Sequence, residues 1–435
     1  MDTAAIATLV LLGGFVLLMI LRVPISFCLL LSTLGSALVS GTNLTTMVNQ
    51  MLDGVSNFSL LAIPFFILMG EIMSAGGISE KIVDFANLMV GRFRGGLAYV
   101  NCLDSMFFGG ISGSAVADVS SLGSVVIPMM KKQGYTPEFS VALTVTTSCQ
   151  GVLIPPSHNM VIFALATGGL VNIEHLLMAG AVPGVLLGLA LILLCFFMAE
   201  KYNFPRGISI PKGKRFKVLG NAILPLFTMV IIMGGVAAGI FTVTESSAFA
   251  CLYTFILTYI VFRSAKLKDI GRVLKNSLKT LAIVLTLIGT AKAFAYMMTD
   301  LRIPDQMTAL LLSITENKYI LLLIINVLLL VLGCFMDMAP LIMIMTPILL
   351  PVVMDPRIGM SPMHFGVMLI FNLAVGLCTP PVGSALYVGC AVGKTSLERT
   401  SVKALPMYLT MVAMLLLVTY VPSITMWLPG VLFGQ

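Results

Sequence analysis

The chain alternates between apolar runs of bilayer length and short polar, mostly basic connections. Runs long enough to cross a hydrocarbon layer of ~30 Å fall at 4–21, 23–40, 58–75, 138–166, 176–200, 219–240, 244–262, 280–298, 364–391 and 404–427, which predicts ten crossings. Two further apolar regions, 95–131 and 318–354, are too long for one span and carry small or polar residues at mid-length, FFGGISGSAVAD in the first and GCFMDMAP in the second. Each reads as a re-entrant helical hairpin that enters and leaves on one face. Ahead of each hairpin lies an amphipathic stretch, 76–93 and 303–318, with the pattern of an interfacial helix.

Two of the predicted crossings, 138–166 and 364–391, carry the same interruption, Pro155-Pro156 and Pro380-Pro381. Proline has no backbone donor and its ring clashes with the carbonyl four residues back, so carbonyls near Gly151 and Gly376 lose their helical partners. Ile154 and Thr379, each before a proline pair, are pushed toward extended geometry. Inside an apolar run such unpaired backbone survives only against protein or a polar cavity. A broken membrane helix is therefore a pointer to a binding site.

The composition, 58% apolar and 10% charged, defines an all-α polytopic membrane protein. With each hairpin kept on one face, 21 of the 25 Lys and Arg gather on one side of the membrane; the exceptions are Arg302, Lys318, Arg357 and Lys292, the last within a span. By the positive-inside rule that side is cytoplasmic, and both termini come out periplasmic. The net charge of +7 has this origin, and nucleic acid is not expected as a partner. The eight cysteines show no metal or redox spacing, and His158, His175 and His364 stand apart, so no cofactor is expected. GCAVGKTS at 389–396 has one residue too few for a phosphate loop, and no Ser/His or paired-acid constellation suggests an enzyme.

Five crossings plus one hairpin in each half, 1–217 and 218–435, predict an inverted repeat. A constant offset of 225 aligns Pro137 with Pro362, Gly151 with Gly376, and the two proline pairs with each other; near the hairpin tips an offset of 219 pairs Asp118 with Asp337 and Pro128 with Pro347. The first tip, with Ser112, Gly113 and Ser114, and the first break, with Pro155, Ser157 and Asn159, together offer hydroxyls and freed carbonyls suited to a hard cation such as sodium. Close helix packing through small residues is the competing reading of the tip. In the second half the corresponding groups are Gly333, Asp337, Thr379 and Gly383, and Asp337 is the strongest single candidate because an intramembrane carboxylate normally has a charged partner. His158 is a further candidate for a polar role. Glu71, Asp104, Glu245 and Lys292 are charges in or near apolar runs, open to a structural or a transport reading.

The stretches SLLAIPFFILMGEIM, GSAVADVSSLGSVVIPMMKKQGY, GVLIPPSHNMVIFA, GIFTVTESSA, TPILLP, HFGVMLIFNLAVGLCTPPVG and YVPSITMWLP resemble the large membrane subunit of tripartite ATP-independent periplasmic (TRAP) transporters, over nearly the whole chain. Val243 departs from it, standing where the family commonly has proline. The resemblance implies an elevator-type, sodium-driven carrier in the bacterial inner membrane. Its substrate would be an organic acid of the C4-dicarboxylate or sialic acid class, delivered by a soluble periplasmic binding protein, with a separate small four-span membrane subunit completing the scaffold. It also implies sodium coordination by Ser112, Gly113, Ser114 and Pro155, and by Gly333, Asp337, Thr379, Pro381 and Gly383. Substrate contact is implied for Ser112, Ser157 and Asp337, with Asn159 beside them. A self-sufficient sodium/divalent-anion symporter is the alternative.

The hairpin assignment has a direct check: cysteines placed at Arg94 and at Lys131 are expected to react with an impermeant thiol reagent from the cytoplasmic side only. Labelling of the two positions from opposite sides would refute the hairpin and the inversion together.

Overall fold

The computed structural model describes residues 3–207, 210–315 and 317–434. Every named element among them is helical, and a lone antiparallel bridge joins Arg94 to Arg206. In order, the chain forms α1 (Thr3–Ile20), α2 (Ile25–Ser40), α3 (Leu44–Val55), α4 (Ala62–Ala75) after a 3-10 turn at Phe58–Leu61, and the amphipathic α5 (Ile78–Val90). The first hairpin is α6 (Gly96–Ser112) and α7 (Ala115–Lys132); the first broken helix is α8 (Pro137–Ser148), α9 (Gln150–Leu153) and α10 (His158–Ala166). Then come α11 (Ile173–Lys201), α12 (Lys212–Met229) continued to Ala237 through α13 (Gly235–Ala237), α14 (Val243–Ile256), α15 (Ile270–Asp300) and the amphipathic α16 (Ile303–Ile314). The second hairpin is α17 (Lys318–Gly333) and α18 (Met338–Met354), the second broken helix α19 (Pro362–Cys378) and α20 (Ser384–Gly393), and α21 (Leu397–Tyr420) and α22 (Ser423–Phe433) close the chain.

Seven helical segments are long and apolar enough to cross a membrane, among the described residues. The other three of the ten predicted crossings are α2, at 16 residues, and the two helices divided at their prolines. Three boundaries differ from the hydropathy reading. The run 404–427 is two helices, because Val421 ahead of Pro422 leaves the helical region (φ −119, ψ 87) and ends α21. The run 280–298 lies inside a 31-residue helix that begins at Ile270, since Arg272, Lys275 and Lys279 extend the helix beyond the apolar stretch. The twelve-residue α3 was not anticipated, being too short and polar for a span; its N-terminus is held by the Asn43 side chain, which accepts from Thr45 N at 2.9 Å.

The hairpins and broken helices form the buried centre. Every residue of α19 from Met363 to Cys378 is buried, as expected of a helix apolar all round. Its partner α8 is polar by sequence yet buried from Phe139 to Ser148, because its hydroxyls bond back to the preceding turn: Thr144 Oγ1 to Ser140 O at 2.8 Å, Thr146 Oγ1 to Ala142 O at 2.9 Å. Outside this centre α1–α4 pack with α14 and α15. The amphipathic α5 lies against α6, α7 and α12, and α16 against α15 and α18, so each joins an outer helix to a hairpin.

Helix pairings recur when the halves are exchanged. The helix α6 packs on α8 as α17 does on α19, α7 meets α20 as α18 meets α10, and α8 meets α21 as α19 meets α11. The broken helices cross where Cys149 Sγ donates to Ala374 O at 2.9 Å and Cys378 Sγ to Val145 O at 3.1 Å. The tips correct one sequence pairing. Ser114 caps α7 and Asp337 occupies the same position before α18, an offset of 223 (337 − 114), which also aligns Pro128 with Pro351 inside their helices. Asp118 lies one turn into α7 and is not the counterpart of Asp337, and Pro347 is not that of Pro128; the offset of 219 arose from matching residue types without the caps.

The contact that recurs most closely is backbone on backbone. A Cβ on Gly109 would stand 2.2 Å from Gly151 Cα, and a Cβ on Gly376 would stand 2.6–2.9 Å from the backbone of Gly333. A Cβ on Gly333 would meet Gly376 Cα at 3.3 Å, which small shifts can relieve. Gly376→Ala is therefore expected to cost about 1–3 kcal/mol of stability by overpacking, and Gly333→Ala clearly less. Thermal unfolding of the two purified variants checks the order; equal stability of both with the parent would contradict it.

Candidate functional site

The first tip turns on Gly113, which ends α6 in the left-handed region (φ +63) and donates to Gly109 O at 2.9 Å. A Cβ there would also lie 2.5 Å from Pro156 O, so the tip backbone sits directly on the first break. Ser114 is extended and its Oγ accepts from Ala117 N at 3.4 Å, opening α7. In the break, Ile154 and Ser157 are both extended, the Pro155-Pro156 bond is cis, and α10 starts at His158. The whole of 154–157 is buried, and Ser157 Oγ has no hydrogen-bond partner.

The second tip is tied to its break by hydrogen bonds. Cys334 O accepts from Val382 N at 3.2 Å and Gly383 N at 3.3 Å, and Cys334 Sγ lies 3.0 Å from Thr379 Oγ1. Thr379 also repairs part of the damage done by Pro380: Gly376 O, which would have bonded to residue 380, accepts from Thr379 N at 3.1 Å and Thr379 Oγ1 at 3.0 Å. Cys378 O accepts from Tyr408 Oη at 2.6 Å. Unlike the first break, residues 380–382 are exposed.

Between the tips lies a cavity of about 460 Å³. Of the sequence candidates it brings together Ser112, Ser114, Asn159 and Asp337, with His158 beside them. Val152 and Leu377, whose carbonyls lose their helical donors to Pro156 and Pro381, also line it. Gly113, Pro155, Ser157, Gly333, Thr379, Pro381 and Gly383 do not; they stand behind the wall, in the tips and breaks. Sequence reasoning missed the opposite wall: Gly70, Glu71 and Ser74 of α4 and Thr280, Ile283 and Val284 of α15. In the sequence Glu71 stands out only as a charge near an apolar run. A readable signal did exist for the serine face of α7, where Ala117, Ser120, Ser121 and Ser124 recur at helical spacing; Ser121 Oγ lies 2.8 Å from Ser74 Oγ, joining that face to α4.

The electrostatics of the cavity are one-sided. Its lining includes the carboxylates of Glu71 and Asp337 and no Lys or Arg. The N-termini of α7 and α10 open at it, with positive dipole ends. The cavity's donors are hydroxyls, carbonyls, the single carboxylates of Glu71 and Asp337 and the His158 imidazole, and its oxygen donors are of the kind that hold a hard cation.

The remaining charged candidates separate. Glu245 closes a capping box, its carboxylate accepting from Thr242 N at 2.9 Å while Thr242 Oγ1 accepts from Glu245 N, a structural role. Asp104 and Asp118 are buried within the first hairpin, and none of their carboxylate oxygens has a hydrogen-bond partner. Lys292 lines a different cavity.

Paired tips seated on broken helices, in an all-helical apolar chain, define a multi-pass membrane transporter. Residues 12–424 match the family described as "Tripartite ATP-independent periplasmic transporter, DctM component". The chain is 35% identical to the C4-dicarboxylate TRAP transporter large permease protein DctM of Rhodobacter capsulatus, over 98% of this chain and 99% of the relative. It is 36% identical to the sialic acid TRAP transporter large permease protein SiaM of Vibrio cholerae, over 97% of this chain and 98% of the relative. Its fold is similar to that of the YdaH transporter of Alcanivorax borkumensis, with a TM-score of 0.61 at 14% identity, covering 90% of this chain and 88% of that one. The chain belongs to the DctM family, the large permease subunits of TRAP transporters, which are carriers and not enzymes. Such permeases work with a small membrane subunit and a periplasmic binding protein.

Proposed function

We propose that this chain carries an organic acid of the sialic acid or C4-dicarboxylate class into the cell across the inner membrane, driven by sodium. The observation that carries the coupling is the charge of the cavity. An acid entering a space lined by Glu71 and Asp337 and by no basic side chain meets repulsion from two full charges, which helix N-termini of about half a charge each offset only in part, unless cations enter with it. Sodium held at the tips neutralises both the resident and the arriving carboxylates. The first ion is assigned to Ser112, Gly113, Ser114 and Pro155, and the second to Gly333, Asp337, Thr379, Pro381 and Gly383. The donor chemistry supports this, since hydroxyls, carbonyls freed at the prolines and one carboxylate are hard-cation ligands. Ser112, Asn159 and Asp337 line the cavity and are the proposed substrate contacts, with Ser157 in the break behind them.

The two tip-and-break units form the carrier that moves, with α5 and α16 as its links to a frame completed by the small four-span subunit. The exchange of helix pairings between the halves supports an inverted repeat, and the gathering of basic loops supports periplasmic termini. On α15 the cavity reaches Thr280, beside Lys279 at the end that also carries Arg272 and Lys275, and on α7 it follows Ala115 to Ser121, from the tip toward the end that carries Lys131 and Lys132. This supports a carrier open to the cytoplasm.

Asp337→Asn keeps the size and one carbonyl oxygen, so folding is expected to hold while sodium-driven uptake falls by about tenfold or more, with part of the rate restored at high sodium. The measurement is uptake by proteoliposomes holding the permease, its small subunit and its binding protein, across a sodium series at matched incorporation. Unchanged sodium dependence and rate would remove the carboxylate from the ion site. Robust sodium-driven uptake by the permease without its partners would instead favour a self-sufficient symporter.

A further inference from the structure

A second cavity, of about 490 Å³, lies further along helices that line the first, and no residue lines both. The same three helical runs line both in the same order. The α4 run gives Ser59 to the second cavity and Glu71 to the first; α10 gives Leu165 and Asn159; α15 gives Lys292 and Thr280. From Thr280 to Lys292 is about 18 Å along the helix at ~1.5 Å per residue. The second cavity is thus the approach to the carrier site from the face opposite the one on which that site opens.

Its chemistry differs from the first in one respect: it holds a cation. Lys292 is half-buried on α15 and forms no ion pair or hydrogen bond among the described residues. A strongly hydrated ammonium kept partner-free beside a cavity is an anion site in waiting. The chain turns into the runs beginning at Phe58, Ile173 and Val243 at its wall; the start at Phe58 has no acidic residue in its first turn and adds its positive dipole end to the field of Lys292, whereas Glu174 and Glu245 offset the other two. One opposing charge is present, Glu174, with no side-chain partner of its own. A ligand with one carboxylate and several hydroxyls satisfies this pair, carboxylate on Lys292 and hydroxyls donating to Glu174; a small dianion places its second carboxylate against Glu174.

We propose that this cavity is an entry site that receives the acid before the tips do, and that Lys292 and Glu174 select a hydroxylated monocarboxylate over a dicarboxylate. The proposal rests on the transport reading for its direction, periplasm to tips, and its test is independent of transport. In the full-length chain in lipid nanodiscs, Ser59→Cys places a thiol at the wall, and peptide mass spectrometry reads its modification by an anionic and a cationic methanethiosulfonate. The anionic-to-cationic rate ratio is expected to fall roughly tenfold on Lys292→Gln, the loss of one unit charge at short range in a partly wet cavity, and to survive Lys292→Arg. D-gluconate is expected to slow the modification more than succinate does, and Glu174→Gln to bring succinate level with gluconate. An unchanged ratio in Lys292→Gln, or no protection by either acid, would overturn the entry site even if sodium-driven uptake proceeds. Uptake without sodium dependence would overturn the transport reading and leave the labelling result standing.

Discussion

A helix broken inside an apolar layer must find its missing hydrogen-bond partners within the protein, and that requirement organises this chain. Pro155-Pro156 and Pro380-Pro381 each free backbone carbonyls where no water from a bulk phase competes for them. The fold answers by laying a hairpin tip over each break. At the second, Cys334 O takes the amides of Val382 and Gly383, and Thr379 returns two donors to Gly376 O. At the first, Gly113 lies against Pro156 O. Such approaches need bare backbone, hence the glycine pairs Gly109/Gly151 and Gly333/Gly376 just below the tips. The groups left over, Val152 and Leu377 among them, line the space between.

That space then has a charge problem which its function turns to use. A site built from carbonyls, hydroxyls and the carboxylates of Glu71 and Asp337 attracts cations and repels the organic acids that TRAP permeases carry. On the proposed reading, binding of either ligand alone is poor and binding of both together is favourable, which is the reciprocal coupling that secondary transport requires. The cation-bearing cavity at Lys292, as the proposed entry site, complements it.

Much of this architecture was legible in the sequence because its strongest signals are backbone chemistry. Proline pairs inside apolar runs, a glycine-serine turn and an aspartate within an apolar run carry their meaning locally, and Ser112, Ser114, Asn159 and Asp337 share one cavity. What failed to show was set by packing. Ser74 and Thr280 reach the site only because α4 and α15 pack across it, and nothing near them in sequence marks that. Asp118 was paired with Asp337 by residue type, whereas the caps pair Ser114 with Asp337. The split at Val421-Pro422 was hidden because hydropathy averages over a break that a single residue's dihedral makes. The second break's exposure, in contrast to the buried first, follows from tertiary placement alone.

The central claim is that cation and acid occupy one site in which each needs the other. The direct measurement is the affinity of the purified permease complex for its transported acid as sodium replaces choline at constant ionic strength. The account predicts that affinity rises steeply with sodium until the ion sites saturate, and that the acid tightens sodium binding by the same factor. An acid affinity that stays flat from zero to saturating sodium would contradict it.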